Sequence, residues 1–353
     1  MAYLTELRVR RLRALEALEI APDGGANLIT GHNGAGKTTV LEAVFLLSRG
    51  RSFRGGDARQ LIGQGATSAE LSAHVASSES TFRVGLALEG RNLRARLNGV
   101  GGAKRAEIAR ILPVLSLDAR LMDLVDRGPE RRRRLLNWVT FHVEPAFNTE
   151  WGRFRRSLKQ RNAGLREKAK AEAITAWDGE FCRAAVAMES KRSSVADRLR
   201  PRFARIAGEL MGLEADWDYY QGWPRDKSLA DILRTGLKGD RKLGMTRFGP
   251  QRSDLVLRLE SRRARYVASR GQQKLLAAAL MLAATELLTE EGAGRPVLLA
   301  DEPLVELDSG HADKLLEALL GTGSQVFVTA VDGAPYSSIL GPLEIRLKGG
   351  ALV

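Results

Sequence analysis

The chain carries a single cysteine, Cys182, among 353 residues. One thiol excludes an internal disulfide and suits a reducing cytosol. Long apolar runs are missing as well. The longest, LLAAALMLAA at 275–284, is far shorter than the roughly 20 residues that a membrane-spanning helix needs. The start, MAYLTELRVR, has no apolar signal core. A soluble cytoplasmic protein without a membrane anchor is the expectation. Histidine is scarce, with four residues. His32 falls inside a glycine-rich loop and the other three do not cluster with Cys182, so no zinc-ligand spacing is present. No sustained heptads, internal repeat or low-complexity linker occurs, and the lack of heptads excludes a long coiled coil.

Apolar residues make up 44% and charged residues 27%, the balance of a globular chain rather than a disordered one. The length allows two cores, or one core with a large insertion. The net charge is +13, and 43 of the 55 basic residues are Arg. The planar Arg fork pairs bidentately with phosphate, which points to a polyanionic partner. A GC-rich genome also enriches Arg. The excess of base over acid favours nucleic acid.

Hydrophobic spacing divides the chain. YLTELRVRRL alternates Leu7 and Val9 with Arg8 and Arg10, the period of a strand with one basic face. The apolar strand ANLITG runs into GHNGAGKTT and then into a helix that buries Val40, Leu41, Val44, Phe45 and Leu47, with Gly50 as its stop. Three alternating runs at 71–75, 82–88 and 93–97, the last closed by Asn98-Gly99, read as an antiparallel meander. PVLSL at 113–117 reads as a further strand. From 119 to 245 strand patterns give way to helical spacing, as in Trp151/Phe154/Leu158/Leu165 and Trp177/Phe181/Ala185/Met188. Pro201 is expected to start or kink another helix. Strand signals return at Leu255/Leu257/Leu259. They lead on to a helix after SRGQQK, a buried strand RPVLLADEP, a helix at 309–320, a strand SQVFVTA and a closing hairpin over Gly349-Gly350. The order predicts one α/β nucleotide-binding domain, residues 1–118 and 246–353, split by a helical lobe at 119–245.

Gly31-His32-Asn33-Gly34-Ala35-Gly36-Lys37-Thr38, followed by Thr39, fits G-x-x-x-x-G-K-[ST]. Glycines let backbone N–H groups wrap phosphates, Lys37 reaches the β- and γ-oxygens of ATP, and the Thr38 hydroxyl binds Mg²⁺. The helix that follows adds its positive N-terminal end. An ordinary Gly-rich turn is the plainer reading, but the loop lies between an apolar strand and an amphipathic helix. VLLADE at 297–302 ends a hydrophobic strand with Asp301 and Glu302. Beside a phosphate loop, such an Asp holds Mg²⁺ and the adjacent Glu polarises the attacking water. Any strand can end in a solvated acid pair, so the loop carries this assignment. SRGQQK begins 232 residues after Lys37. Ser269 or Gly271 there could simply cap the helix QQKLLAAALML. Their order, after the phosphate loop and before LLADE and ELD (306–308), suggests instead a second anion site built from Ser269, Gly271, Gln272 and a helix N-terminus.

SRGQQK resembles the signature loop of ABC-type ATPases. Together with GHNGAGKTTVLEAVFLLSRGRSFR, RRRRLLNWVTFHVEPAF, LKQRNAGLR, FGPQRSDL and LADEPLVELD, it resembles the RecF family of bacterial recombination-mediator ATPases over nearly the whole chain. The resemblance implies an ABC-type P-loop ATPase head, a mixed sheet plus an antiparallel β subdomain, with a compact helical lobe in place of the coiled coil of the related SMC and Rad50 heads. It implies an ATP-dependent homodimer on double-stranded, single-stranded or gapped DNA, slow ATPase, and help in loading the recombinase at gaps with RecO and RecR. Roles in replication-fork maintenance and SOS induction come with it. Carried over, Lys37 and Thr38 hold phosphate and Mg²⁺, Asp301 holds Mg²⁺, and Glu302 orients water. Ser269 and Gly271 act on the ATP of the other subunit, and Asp308 lies across the dimer. Three positions depart from related ATPases. Leu12-Arg13-Ala14 replaces the family's Phe-Arg-Asn-like ending, where an Arg contacts the nucleobase; no Gln stands near PVLSLD; and Thr329 stands where ABC transporters carry a switch His.

Two basic runs remain. Residues 151–170 hold Arg153, Arg155, Arg156, Lys159, Arg161, Arg166, Lys168 and Lys170 against one acid, Glu167; 130–138 is ERRRRLLNW. Each reads either as a solvated face over an apolar stripe or as a DNA-contacting face, with Arg153, Arg155, Arg156, Lys159 and Arg161 the DNA candidates. Two other functions fit a phosphate-loop ATPase: the nucleotide-binding subunit of a membrane transporter, and the head of a DNA-end-processing complex. The missing Gln and His and the positive charge speak against the first. The lack of a long coiled coil and of a nuclease metal cluster speaks against the second.

Overall fold

The computed structural model describes residues 2–77, 80–118, 120–333, 336 and 344–353. Residue 119, the expected start of the helical lobe, lies outside them. The chain forms two compact units, one of Met1–Met122, Glu209–Met211 and Arg270–Val353, the other of Asp123–Gly208 and Gly212–Ser269.

The first unit opens with strands β1 (Tyr3–Leu12), β2 (Leu15–Ile20) and β3 (Ala26–Thr30), and helix α1 (Lys37–Arg49). Strands β4 (Ser68–Ala76), β5 (Thr81–Glu89), β6 (Asn92–Leu97) and β7 (Val100–Gly101) follow, then α2 (Arg105–Ile111) and β8 (Val114–Leu117). Six strands in the order β2-β1-β4-β5-β6-β7 make an antiparallel sheet. Its cross-strand row Val9–Leu71–Leu86–Ala95 is buried against α1, whereas Arg8 and Arg10 point outward, as period-2 alternation requires. Strand β2 escaped the sequence reading because Leu15, Leu18 and Ile20 mix strand and helix spacing.

The second unit runs through α3 (Asp123–Asp126), α4 (Glu130–Val143), α5 (Phe147–Arg166), α6 (Ala171–Thr175), α7 (Asp178–Met211), β9 (Ala215–Tyr220) and α8 (Leu229–Leu243) to β10 (Asp254–Leu259), β11 (Arg262–Arg263) and α9 (Ala264–Val267). It is not purely helical. Strand β9 lies within the stretch expected to be helical and pairs with β10 across Leu257↔Trp217. That pairing draws residues 246–269 into this unit, beyond the expected boundary at 245. Pro201 does not start a new helix, because α7 runs through it. Leu199 before it and Phe203, Ile206 and Leu210 after it are all buried, so apolar packing holds the helix on both sides. A proline removes one helical N–H, here the one that would reach the Asp197 carbonyl, and crowds the preceding turn.

Buried polar ties organise this unit. Arg192 donates to the Pro250 carbonyl at 3.0 Å and to Ser253 Oγ at 3.2 Å, Arg133 to the Ser253 carbonyl at 2.8 Å, and Arg132 to Asp254 at 2.8 Å. The stretch FGPQRSDL is thus a receiving post for three arginines.

The chain then returns to the first unit with α10 (Arg270–Glu290), β12 (Val297–Asp301), α11 (Ser309–Gly321), β13 (Val326–Ala330), β14 (Glu344–Lys348) and β15 (Ala351–Leu352). The mixed sheet has the order β15-β14-β3-β13-β12-β8, and β14, β3, β13, β12 and β8 are mutually parallel. Val297 and Leu299 share the α1 core, so the alternating Leu298 and Ala300 face the opposite side. Gln325 joins the two sheets: its amide accepts from Leu4 N at 2.8 Å and donates to the Leu4 carbonyl at 2.9 Å.

Candidate nucleotide-binding site

Parallel strands place the ends that follow them along one edge of a sheet, where open α/β folds bind their ligands. Here β3 runs into the loop Gly31–Lys37, β12 ends in Asp301, and β13 carries Thr329 directly beside it. In the loop, Gly31 (φ 149°), Gly34 (φ 83°) and Gly36 (φ 104°) adopt backbone conformations that side chains resist. A Cβ on Gly31 would fall 2.4 Å from the Leu347 carbonyl oxygen, whereas one on Gly34 would meet nothing within 4 Å. Gly36 caps α1 without a side-chain acceptor, so the first N–H groups of that helix stay available to an anion. His32, Asn33 and Gly34 are exposed and Ala35 is buried; the Ala35 amide donates to the His32 carbonyl and the Thr39 amide to the Gly36 carbonyl.

Lys37 is 5% exposed and donates to the Gly31 carbonyl at 2.7 Å, and its ammonium lies 3.4 Å from Glu302 Oε1. The Thr38 hydroxyl sits 3.0 and 3.1 Å from the two Asp301 oxygens. Thr329 completes the arrangement. Its hydroxyl donates to Asp301 Oδ1 at 2.7 Å and accepts from the Glu302 amide at 3.0 Å. Sequence comparison marks Thr329 only as the residue standing in for a histidine; the structure makes it the hinge of the acid pair. Its signal was its place near the end of a buried strand. Glu302 has φ 46°, a left-handed backbone rare outside glycine.

The second anion element is separate. Ser269 is exposed and directly precedes α10, whose first turn holds Gly271 and Gln272. A Cβ on Gly271 would lie 3.1 Å from the Glu306 carbonyl oxygen. Asp308 caps α11, accepting from the His311 amide at 3.1 Å, and the hydrogen bonds from His311 hold its carboxyl below the usual carboxylate range.

A family model described as the RecF/RecN/SMC N-terminal domain matches residues 3–341. A protein named DNA replication and repair protein RecF from Xanthomonas euvesicatoria is 37% identical over 350 residues, covering 97% of this chain and 95% of its own. The chain belongs to the RecF family. The like-named proteins of Thioalkalivibrio sulfidiphilus and Vibrio cholerae are 37% and 33% identical and cover 93% and 96% of the chain. A structure of the recombination mediator protein RecF with ATP in the RecFOR pathway superposes with TM-score 0.90 at 24% identity, over 100% of this chain and 97% of the other. The Smc head domain of Pyrococcus furiosus, bound to the C-terminal domain of ScpA, gives TM-score 0.64 at 16% identity, over 100% and 95%. The fold is therefore that of RecF and SMC heads, the α/β ABC-type head the motifs pointed to. Among the described residues, no helix is long and apolar enough to cross a membrane.

Within this RecF-family fold the basic candidates separate. Arg161 is fully buried and cannot meet DNA. It pairs with Asp178 at 2.7 Å and Asp240 at 2.8 Å, and donates to Thr246 at 2.8 Å. Burial of the α5 stripe around Phe154, Ser157 and Leu165 carries Arg161 inward with it. Arg153 is exposed but held by Glu180 at 2.8 Å and Glu150 at 3.5 Å. Arg155, Arg156 and Lys159 are exposed, and Arg155 sits 5.4 Å over the Trp151 ring. The run Arg131–Arg134 is occupied within its own unit by Asp123, Asp254, the Ser253 carbonyl and Glu130. Arg13 is likewise engaged: its guanidinium forks onto the fully buried carboxylate of Glu42 in α1.

Proposed function

We propose that this chain is an ATP-dependent DNA-binding switch: two copies dimerise on DNA with ATP bound, hydrolyse it slowly, and so help load the recombinase at gaps with RecO and RecR. Roles in fork maintenance and SOS induction belong to the same reading. The observation that carries it is the cluster of Lys37, Thr38, Asp301, Glu302 and Thr329 beside the uncapped N-terminus of α1.

Thr38 Oγ and the Asp301 carboxylate are hard oxygen donors brought together, which suits Mg²⁺. When bound, Mg²⁺ offsets the charge of the β- and γ-phosphates. Lys37 and the N–H groups of Gly34, Gly36, Lys37 and Thr38 take the phosphate oxygens, whereas that of Ala35 is spent on the His32 carbonyl. Glu302, held by Thr329 at its amide, presents a carboxylate that orients and accepts a proton from the attacking water. Ser269, Gly271 and Gln272 serve the ATP of the partner copy, and Asp308 faces that copy. Support for DNA comes from the name of the 37%-identical relatives, from the +13 charge and from the open Arg155/Arg156/Lys159 face.

Sedimentation of the chain alone, with ADP, with ATP, and with ATP plus gapped DNA tests the switch. A dimer should form with ATP and not with ADP, and DNA should strengthen it. ATP turnover that ignores duplex DNA, with no ATP-dependent dimer, would return the chain to an ordinary ATPase subunit.

A further inference from the structure

We infer that Lys274 is a positioning residue that ties the first turn of α10 to the loop carrying Glu302, so that a load on the second anion element is felt at the water-orienting acid. The inference rests on the proposed role of Glu302.

Lys274 lies one turn into α10 and is half-buried. Its ammonium donates to the Val305 carbonyl at 2.5 Å and lies 3.5 Å from the Glu302 carbonyl. Glu302 is therefore held from both sides, its amide by Thr329 and its carbonyl by Lys274. The loop needs such holding. Glu302 (φ 46°) and Glu306 (φ 71°) both sit in the left-handed region, and a non-glycine backbone persists there only where its surroundings over-determine it. A second contact joins the same two elements, because a Cβ on Gly271 would fall 3.1 Å from the Glu306 carbonyl oxygen, a tight approach of helix to loop. Beside the tie lies a cavity of 180 Å³ lined by Asp118, Leu121, Lys274, Asp301, Glu302 and Glu306, which leaves the loop room to move once released. An ammonium with only solvent to satisfy would not stay half-buried against two carbonyls. Burial lowers the Lys274 pKa, so the group is under a cost that its acceptors offset. A shift of α10, when Gly271 and Gln272 meet a phosphate, would pull on Val305 and Glu302 through the Lys274 side chain.

The full-length chain tests this in two ways. Without nucleotide, hydrogen exchange is followed in the peptide covering 300–308, whose amides include those of Glu302, bonded to Thr329, and Val305, bonded to the Glu302 carbonyl. Lys274→Met should speed exchange there by about tenfold while α1 is unchanged; unchanged exchange overturns the tie. In steady-state ATP turnover, Lys274→Met should lower kcat by about tenfold or more with KM within about twofold, since a small misplacement of the acid harms the reacting geometry and not ground-state binding. Lys274→Arg, which keeps a long donor, should recover most of the rate. A Met variant with parental kcat, or one that loses KM and kcat alike, counts against it. If Met does not fold, Lys274→Gln, too short to span to Val305, takes its place. Glu302→Gln is run alongside: if it turns over at the parental rate, the role of Glu302 fails, and the exchange experiment still decides the tie.

Discussion

At the scale of single residues, charge in the sequence did not announce its own use. Arg161 and Arg155 lie six positions apart in one basic run. One is entirely buried between two aspartates, and the other is exposed and rides on the half-buried Trp151 ring. Replacing Arg161 by Met leaves Asp240 buried without one of its two arginine partners, the other being Arg247 at 2.9 Å. Breaking a buried pair from one side costs about 3–5 kcal/mol. Urea unfolding of Arg161→Met should show a loss of that order. At temperatures where it stays folded, the salt dependence of DNA binding should match the parent. A stable variant with weakened DNA binding would reinstate Arg161 as a DNA contact.

Elements carry the next level of meaning. Helix α5 buries one stripe and leaves Arg155, Arg156 and Lys159 on the other. If that face lies on the phosphate backbone, changing all three to Ala should weaken binding to every sequence. The log–log salt slope should then flatten by up to about 0.9 per lost contact. Fluorescence anisotropy at several salt concentrations reads both quantities, and an unchanged slope assigns the face to solvent. Helix α7 holds a different device. Burial pushes the Glu189 carboxyl up to about 7, against neighbouring Arg192, which pulls it down. Unfolded, the same group titrates near 4.5. Between those values the native chain binds more protons than the unfolded one, so stability falls as pH rises through the window. Glu189→Gln has no proton to lose. Its stability relative to the parent should therefore improve between about pH 5 and pH 8, by an amount on the order of the pKa difference times 1.4 kcal/mol. Denaturant midpoints at the two pH values measure this, and a constant difference would show that Glu189 is charged throughout.

For the whole molecule, the decisive question is whether one copy completes the site of another. Ser269→Arg should leave nucleotide binding intact, because Lys37 and Thr38 belong to the same chain as the nucleotide they hold, yet it should prevent ATP-induced dimerisation. Lys37→Met should fail earlier, at binding. Mixed in equal amounts, the two variants should recover some dimer, since one of its two composite sites pairs an intact phosphate loop with an intact second loop. Analytical ultracentrifugation of each variant and of the mixture decides. A normal dimer from Ser269→Arg alone would leave Ser269 a helix cap costing about 1 kcal/mol.

The sequence by itself determined the elements whose period is strict and the loops whose chemistry is local. Alternation at 71–97 gave the meander, the spacing of Val40 to Leu47 gave α1, and the glycines before Lys37, set between an apolar strand and an amphipathic helix, pointed to a phosphate-type loop. Tertiary structure alone decided the rest. Gln325 bonds a residue 321 positions away, and Thr329 and Lys274 reach Glu302 across 27 and 28. No window of sequence shows which carbonyl a half-buried ammonium will meet. β9 likewise read as part of a helical lobe until β10 supplied its hydrogen bonds. Periodicity is a property of neighbours along the chain; partners for buried polar groups are a property of neighbours in space.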